Sequence, residues 1–226
     1  MKNTLFFALL IAFFLAGCAT YNVVPQNIAR YDKGIEILDS AQPNSKVQLE
    51  ISQNKLGGLS NPPFVFYLGA QILKGPDILL DTSNLSASQN GKNLDILTYP
   101  QILESNEDFS DVLQDFGIPT PPAPISNTNI ITPLFYYGRG GFLAYNMMFS
   151  PFIISDFSSQ QMMQEQRQAR KIMAANYLRK TTLSVDGKAK GGFVAISPKN
   201  IKAGTMVLKV ILGDEVHYFH INIEKK

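Results

Sequence analysis

Thr205-Met-Val-Leu-Lys-Val-Ile-Leu-Gly-Asp-Glu-Val-His-Tyr-Phe-His-Ile-Asn-Ile223 decides the fold. Two β-rich runs, Thr205 to Leu212 and Val216 to Ile223, flank Gly213-Asp214, and glycine at the first central position suits a two-residue loop between antiparallel strands. Upstream, Phe193 to Ile196 reads as another strand. Leu85 to Gln89 and Asn93 to Leu97 flank Asn90-Gly91, the dipeptide that tolerates the positive φ angles of a type I′ turn. Val47, Leu49 and Ile51 alternate with Gln48, Glu50 and Ser52, which predicts a strand with one buried face. Phe64 to Leu73, rich in β-branched and aromatic residues, is a further strand ending at Gly75-Pro76.

Helical signals lie between these β regions. Pro100 opens a short helix, and Phe109, Val112, Leu113 and Phe116 form one apolar face closed by Gly117 and Pro119. Pro119, Pro121, Pro122 and Pro124 make a stiff connector. A long amphipathic helix starts near Asp156 or Ser158 and runs to about Arg179, with Met162, Ala169, Met173 and Tyr177 near one stripe. Short strands with Gly, Pro and Asn turns favour an antiparallel β-sandwich over a doubly wound fold. The expected architecture is mainly β, an immunoglobulin-like antiparallel sandwich over residues 46–226 with a helical insertion at about 100–180.

The 226 residues are 45% apolar and 17% charged, enough to bury a substantial core. Twenty basic side chains against eighteen acidic ones leave +2, with no basic stripe, so nucleic-acid binding is disfavoured. One Cys excludes an internal disulfide and a thiolate metal cluster, and no cofactor or metal is expected. His217 and His220 sit three apart on a predicted strand, hence on opposite faces; His217 shares its face with Phe219 and Ile221 and reads as a satisfied buried histidine. No nucleophile elbow, zincin, Walker or dinucleotide motif occurs. Glu104, Glu107, Asp108, Asp111 and Asp115 lack calcium-loop spacing and read as a solvated helix face.

At the amino terminus, Lys2 precedes an unbroken apolar run from Leu5 to Leu15, too short to span a hydrocarbon core of roughly 30 Å. Residues 1–17 read as a signal peptide, and residues 18–45, with few strong patterns beyond a possible helical turn at Ile35 to Leu38, as a tether. Leu15-Ala16-Gly17-Cys18 resembles the lipobox of bacterial lipoproteins. The resemblance implies cleavage before Cys18, a diacylglycerol on its sulfur and a fatty acid on its amino group, and hence an outer-membrane location, since Ala19 stands where an Asp would retain the protein in the inner membrane. Acyl chains contributing roughly 0.8 kcal/mol per buried methylene make release negligible. Two stretches, Asn84 to Tyr99 and Leu178 to Val194, resemble uncharacterised proteobacterial lipoproteins with an immunoglobulin-like domain, although Asp186-Gly187 replaces their Pro-Gly turn.

Gly117 to Ser155 contains no Asp, Glu or Lys, and Phe135 to Phe152 holds seven aromatics in 18 residues. Gly138-Arg139-Gly140-Gly141 interrupts any membrane-spanning run there. Phe135, Tyr136, Tyr137, Arg139, Phe142 and Tyr145 are therefore expected to form an exposed or partly exposed contact for a partner protein or a membrane. The leading functional expectation is a noncatalytic, membrane-anchored envelope lipoprotein that binds another envelope protein or supports an assembly. A carrier for an apolar ligand, marked by a Phe- and Met-lined cavity, and an envelope hydrolase, marked by polar groups converging in a cleft, are the alternatives.

Overall fold

A computed structural model describes residues 19–58, 61–118, 136–143, 145, 161–185 and 187–226. In chain order the strands are β1 (Thr20–Pro25), β2 (Arg30–Asp32), β3 (Ile35–Ala41), β4 (Ser45–Ile51), β5 (Lys55–Gly57), β6 (Phe64–Ile72), β7 (Ile78–Leu80), β8 (Leu85–Gln89) and β9 (Lys92–Leu94). Helices α1 (Tyr99–Glu104), α2 (Ser110–Asp115) and α3 (Gln161–Ala175) follow, and then β10 (Thr181–Leu183), β11 (Lys190–Ile196), β12 (Gly204–Leu212) and β13 (Glu215–Lys225).

The strands make two large antiparallel sheets. One runs β5-β1-β13-β12-β8-β9, the other β11-β6-β4-β3-β2, and β10 and β7 pair separately. Val23, Met206, Leu208, Phe219 and Ile221 from the first sheet meet Leu38, Leu49, Phe66, Leu68 and Val194 from the second in one buried cluster. The sheets thus lie face to face, each hiding its apolar side.

Both hairpins follow from their turn residues. Leu212 pairs with Glu215 across Gly213-Asp214, and Gly213 has φ +59°. Asn90 (φ 51°) and Gly91 (φ 73°) both take the positive φ of a type I′ turn between β8 and β9. β9 ends at Leu94, short of the expected Leu97, because Ile96 turns away to bridge Ile196 of the other sheet.

The tether expected over residues 18–45 is not what the structure contains. β1 pairs with β13 from Tyr21↔Lys225 to Pro25↔Ile221 and with β5, and β2 and β3 extend the second sheet. The domain thus begins at Thr20 rather than near residue 46. Nor do Ile35 to Leu38 form a helical turn: Ile35 and Ile37 face the helices while Leu38 faces the opposite sheet, so apolar residues on both faces of β3 erase the strand alternation.

Helices α1, α2 and α3 cover the outer face of the five-stranded sheet. Phe109, Val112, Leu113 and Phe116 are all buried there, with Ala169, Ile172 and Met173 of α3, against Ile35, Val65, Phe193 and Ala195. The start expected for α3 lies outside the described residues. Its end comes at Ala175 instead of Arg179, because Leu178 N–H donates to Phe193 O and Phe193 N–H to Asn176 O, carrying the chain alongside β11. Among the described residues no helix is long and apolar enough to cross a membrane.

Candidate functional site

Strand register lays two rows across the outer face of the five-stranded sheet. Arg30, Ile37, Glu50, Tyr67 and Phe193 stand opposite one another in sequence, and Asp39, Gln48, Gly69 and Gly191 form the next row. An alternating strand puts every second residue on this face, so Val47, Leu49 and Ile51 enter the sandwich core and Gln48 and Glu50 point the other way. These two polar residues are not solvated: both are 0% exposed. A single buried face was expected for β4, and both faces are covered.

The cover comes from residues 136–143 and from Tyr145, which lie across the sheet as a strap. Tyr136 Oη donates to Glu50 Oε2, Arg139 N–H donates to Glu50 Oε1 at 2.6 Å, and Gln48 Nε2 donates to the same oxygen at 2.5 Å. Gln48 Nε2 also reaches Arg139 O at 2.8 Å, while Arg30 Nη2 donates to Gln48 Oε1 at 2.9 Å and to Gly140 O at 3.2 Å. Two ion pairs close the cluster, Arg139 Nη1 to Asp32 Oδ2 at 3.0 Å and Arg30 Nη1 to Asp39 Oδ2 at 2.5 Å. Tyr136 N–H donates to Asn176 Oδ1 at 2.7 Å, linking the strap to the end of α3.

Rings and glycines complete the seat. The Tyr136 ring meets Tyr67 edge-on at 4.8 Å and Phe116 at 5.2 Å. Tyr145 lies over Gly69, where an added Cβ would sit 2.0 Å from the Tyr145 hydroxyl oxygen. That hydroxyl is buried without a hydrogen-bond partner. Lys46 Nζ stands 4.9 Å from the centre of the Phe142 ring.

Burial dominates the electrostatics. It pushes the Glu50 carboxyl above the ordinary carboxylate range, against the lowering effect of the bonds from Arg139 N–H, Tyr136 and Gln48 and of the Arg139 charge. Desolvation also raises Asp39, opposed by Arg30, and raises the phenols of Tyr67, Tyr136 and Tyr145, with the Glu50 charge adding to each phenol. Three donors from the protein itself occupy the Glu50 carboxylate. The carboxylate thereby clasps a loop onto the sheet, with two donors on Oε1 and one on Oε2.

The expected contact residues lie within this clasp. Tyr136, Tyr137, Arg139, Phe142 and Tyr145 are all half-buried, Tyr136, Arg139 and Tyr145 against the protein's own sheet and Phe142 beside Lys46, so the surface they offer is a partly exposed one. Phe135 and Cys18 lie outside the described residues. Gln48, Glu50, Arg30 and Asp39 were missed by sequence reasoning, because polar residues alternating with aliphatic ones on β4 look solvent-facing until the covering segment is known.

A second polar cluster sits between the β3–β4 and β12–β13 hairpins. His217, 0% exposed, bonds Ser45 Oγ through Nε2 at 2.9 Å and Ser40 Oγ through Nδ1 at 2.9 Å, and Ser45 Oγ–H donates to Glu215. A nucleophilic serine would give its proton to the imidazole, with the acid on the far ring nitrogen. Here the Ser45 hydroxyl donates its hydrogen bond to the Glu215 carboxylate and the Ser40 hydroxyl meets Nδ1, an arrangement that ties two hairpins together. A cleft of about 780 Å³ opens elsewhere, between Lys33, Ser52, Gln53 and Lys55 on one side and Glu107, Asp108, Asp111 and Asp115 on the other. Four of the five acidic residues expected on a solvated helix face, all but Glu104, thus border a polar cleft, whose lining is not the Phe- and Met-rich one that would mark an apolar carrier. Among the described residues no three His, Cys, Asp or Glu side chains are grouped to hold a metal ion.

Comparison of the chain with protein-family models, with curated proteins and with solved structures finds no match in any of the three.

Proposed function

We propose that this chain is a noncatalytic lipoprotein of the cell envelope, held in the outer membrane by diacylglycerol and fatty acid on Cys18, and acting as a protein-interaction or structural module. On this reading its fold is an immunoglobulin-like β-sandwich with the covering helices, α3 the longest of them, as an amphipathic layer. The observation that carries the proposal is the closeness of fold and anchor. Thr20, two residues after the cysteine of Leu15-Ala16-Gly17-Cys18, already pairs with Gly57, and Tyr21 pairs with Lys225. A lipid on Cys18 therefore fixes a rigid sandwich at the membrane surface rather than a domain on a long tether. The two most elaborate polar clusters support a structural role as well, since both tie segments of the fold together.

Site-specific photocrosslinking in intact envelopes tests the interaction. A photoreactive residue at Tyr31, 68% exposed on edge strand β2 beside the strap, or at Phe142 should give one adduct of defined protein mass in the outer-membrane fraction. The same residue at Tyr218, exposed on the six-stranded sheet, serves as comparison. Adducts to lipid alone from all three positions, with a stoichiometric apolar molecule in organic extracts, would replace the proposal with the carrier reading.

A further inference from the structure

The six-stranded sheet has one end next to the anchor and one end away from it. β1 starts at the anchor end with Thr20, and the antiparallel register brings Lys225 opposite Tyr21 and Gly204 opposite Ile223. Lys226 N–H donates to Thr20 O at 3.2 Å. The β8–β9 turn arrives at the same end, since Gln89 pairs with both Met206 and Lys92, and Lys202 N–H donates to Gln89 Oε1 at 2.9 Å. Lys55 stands opposite Asn22 on the neighbouring strand.

Lys55, Lys202, Lys225 and Lys226, with Lys92 set back at the level of Pro25, thus lie toward this end on four separate segments or turns, and all are exposed. Glu224 is the acid among them, exposed opposite Asn22. Among the described residues none of the five is ion-paired. At the far end Asp77, Asp81, Asp214 and Glu215 are accompanied by Lys74, Lys180 and Lys190, so the positive excess is concentrated at the anchor end although the whole chain is nearly neutral. Two residues span no more than about 7 Å, so an anchored Cys18 holds the lysine end within headgroup reach.

We propose that this lysine-bearing end docks onto anionic phospholipid headgroups of the leaflet that holds the anchor, setting the sandwich upright with its opposite end outward. The proposal rests on the lipid-anchored reading above. The anchor supplies attachment, and the lysines, each a mobile ammonium able to approach a phosphate, supply orientation. An anionic leaflet matches this end in charge; a zwitterionic one does not.

The test uses the full chain processed in cells, purified with its acyl groups and reconstituted into vesicles of phosphatidylcholine alone or of phosphatidylcholine rich in phosphatidylglycerol. Amine acetylation read by mass spectrometry should be about fivefold slower at Lys92, Lys202, Lys225 and Lys226 in the anionic vesicles. High salt should remove the difference, and Lys74 at the far end should react equally in both. A Lys202→Glu, Lys225→Glu variant should stay with the vesicles but lose protection at Lys92 and Lys226. Equal rates in both vesicle types on protein whose Cys18 carries lipid would overturn the docking alone. An unmodified Cys18 in the same spectra would overturn the anchoring reading and the docking with it.

Discussion

Glu50 shows how one side chain can organise a surface. A buried carboxylate is costly unless hydrogen bonds replace its hydration, and here Tyr136, Arg139 and Gln48 supply three. Tyr136→Phe keeps the ring against Tyr67 and removes one donor, so it should destabilise the protein by about 1–3 kcal/mol in urea denaturation at neutral pH. Losing that bond should also move the Glu50 carboxyl further up, since the bond lowers it. Because the folded pKa of Glu50 lies above its ordinary value, the favourable contribution of this group is present below pH 4.5 and is lost as pH rises through the folded pKa. The stability of wild type relative to Glu50→Gln should therefore decline over that window; a difference constant with pH would mean that the carboxylate is hydrated.

His217 has the opposite sign. Desolvation lowers its pKa below 6.5, partly offset by Glu215, so the neutral ring between Ser40 and Ser45 is stabilising above pH 6.5 and that contribution is lost as pH falls through the folded pKa. Wild type should lose stability on acidification below pH 6.5 relative to His217→Gln, measured by thermal unfolding at matched ionic strength.

Among the elements, the strap and β1 separate what was legible in the sequence from what was not. The hairpins at Asn90-Gly91 and Gly213-Asp214 were readable because local backbone geometry selects those residues. Phe109, Val112, Leu113 and Phe116 were readable because all four lie on one helical face, and all are buried. β1 was not, since six residues ending in Pro25 carry little periodicity, and partners at Lys55 and Lys225 settle their state. Val23 is buried between the sheets. Val23→Asp should therefore lower the melting temperature by many degrees, as an unpaired buried carboxylate does, whereas a residue in a loose tether would tolerate it. The burial of Gln48 and Glu50 was illegible for a similar reason: it depends on a segment some ninety residues away.

Close backbone approach gives a second check on the same layer. A Cβ at Gly192 would stand 2.5 Å from Leu178 N and 2.8 Å from Tyr177 C, both main chain. Gly192→Ala should push the end of α3 off β11 and cost at least about 2 kcal/mol in denaturant unfolding. Gly69→Ala meets a side chain, the Tyr145 hydroxyl, and should act locally, increasing proteolysis near residues 138–145 with a smaller loss of global stability.

For the whole molecule, a mainly antiparallel β architecture with intervening helices was legible, because alternation, turn dipeptides and one apolar helix face all agreed. The role of the aromatic segment was not: density of Tyr and Phe without acidic residues describes a seat in a core as well as an outward patch, and Tyr136 and Tyr145 lie against the sheet. The functional proposal turns on Cys18, two residues before the first paired strand. Mass spectrometry of the amino-terminal peptide from envelope-expressed protein tests it most directly. The account predicts a peptide beginning at Cys18 with diacylglycerol on sulfur and a fatty acyl group on nitrogen; a peptide beginning elsewhere, or an unmodified Cys18, would contradict it.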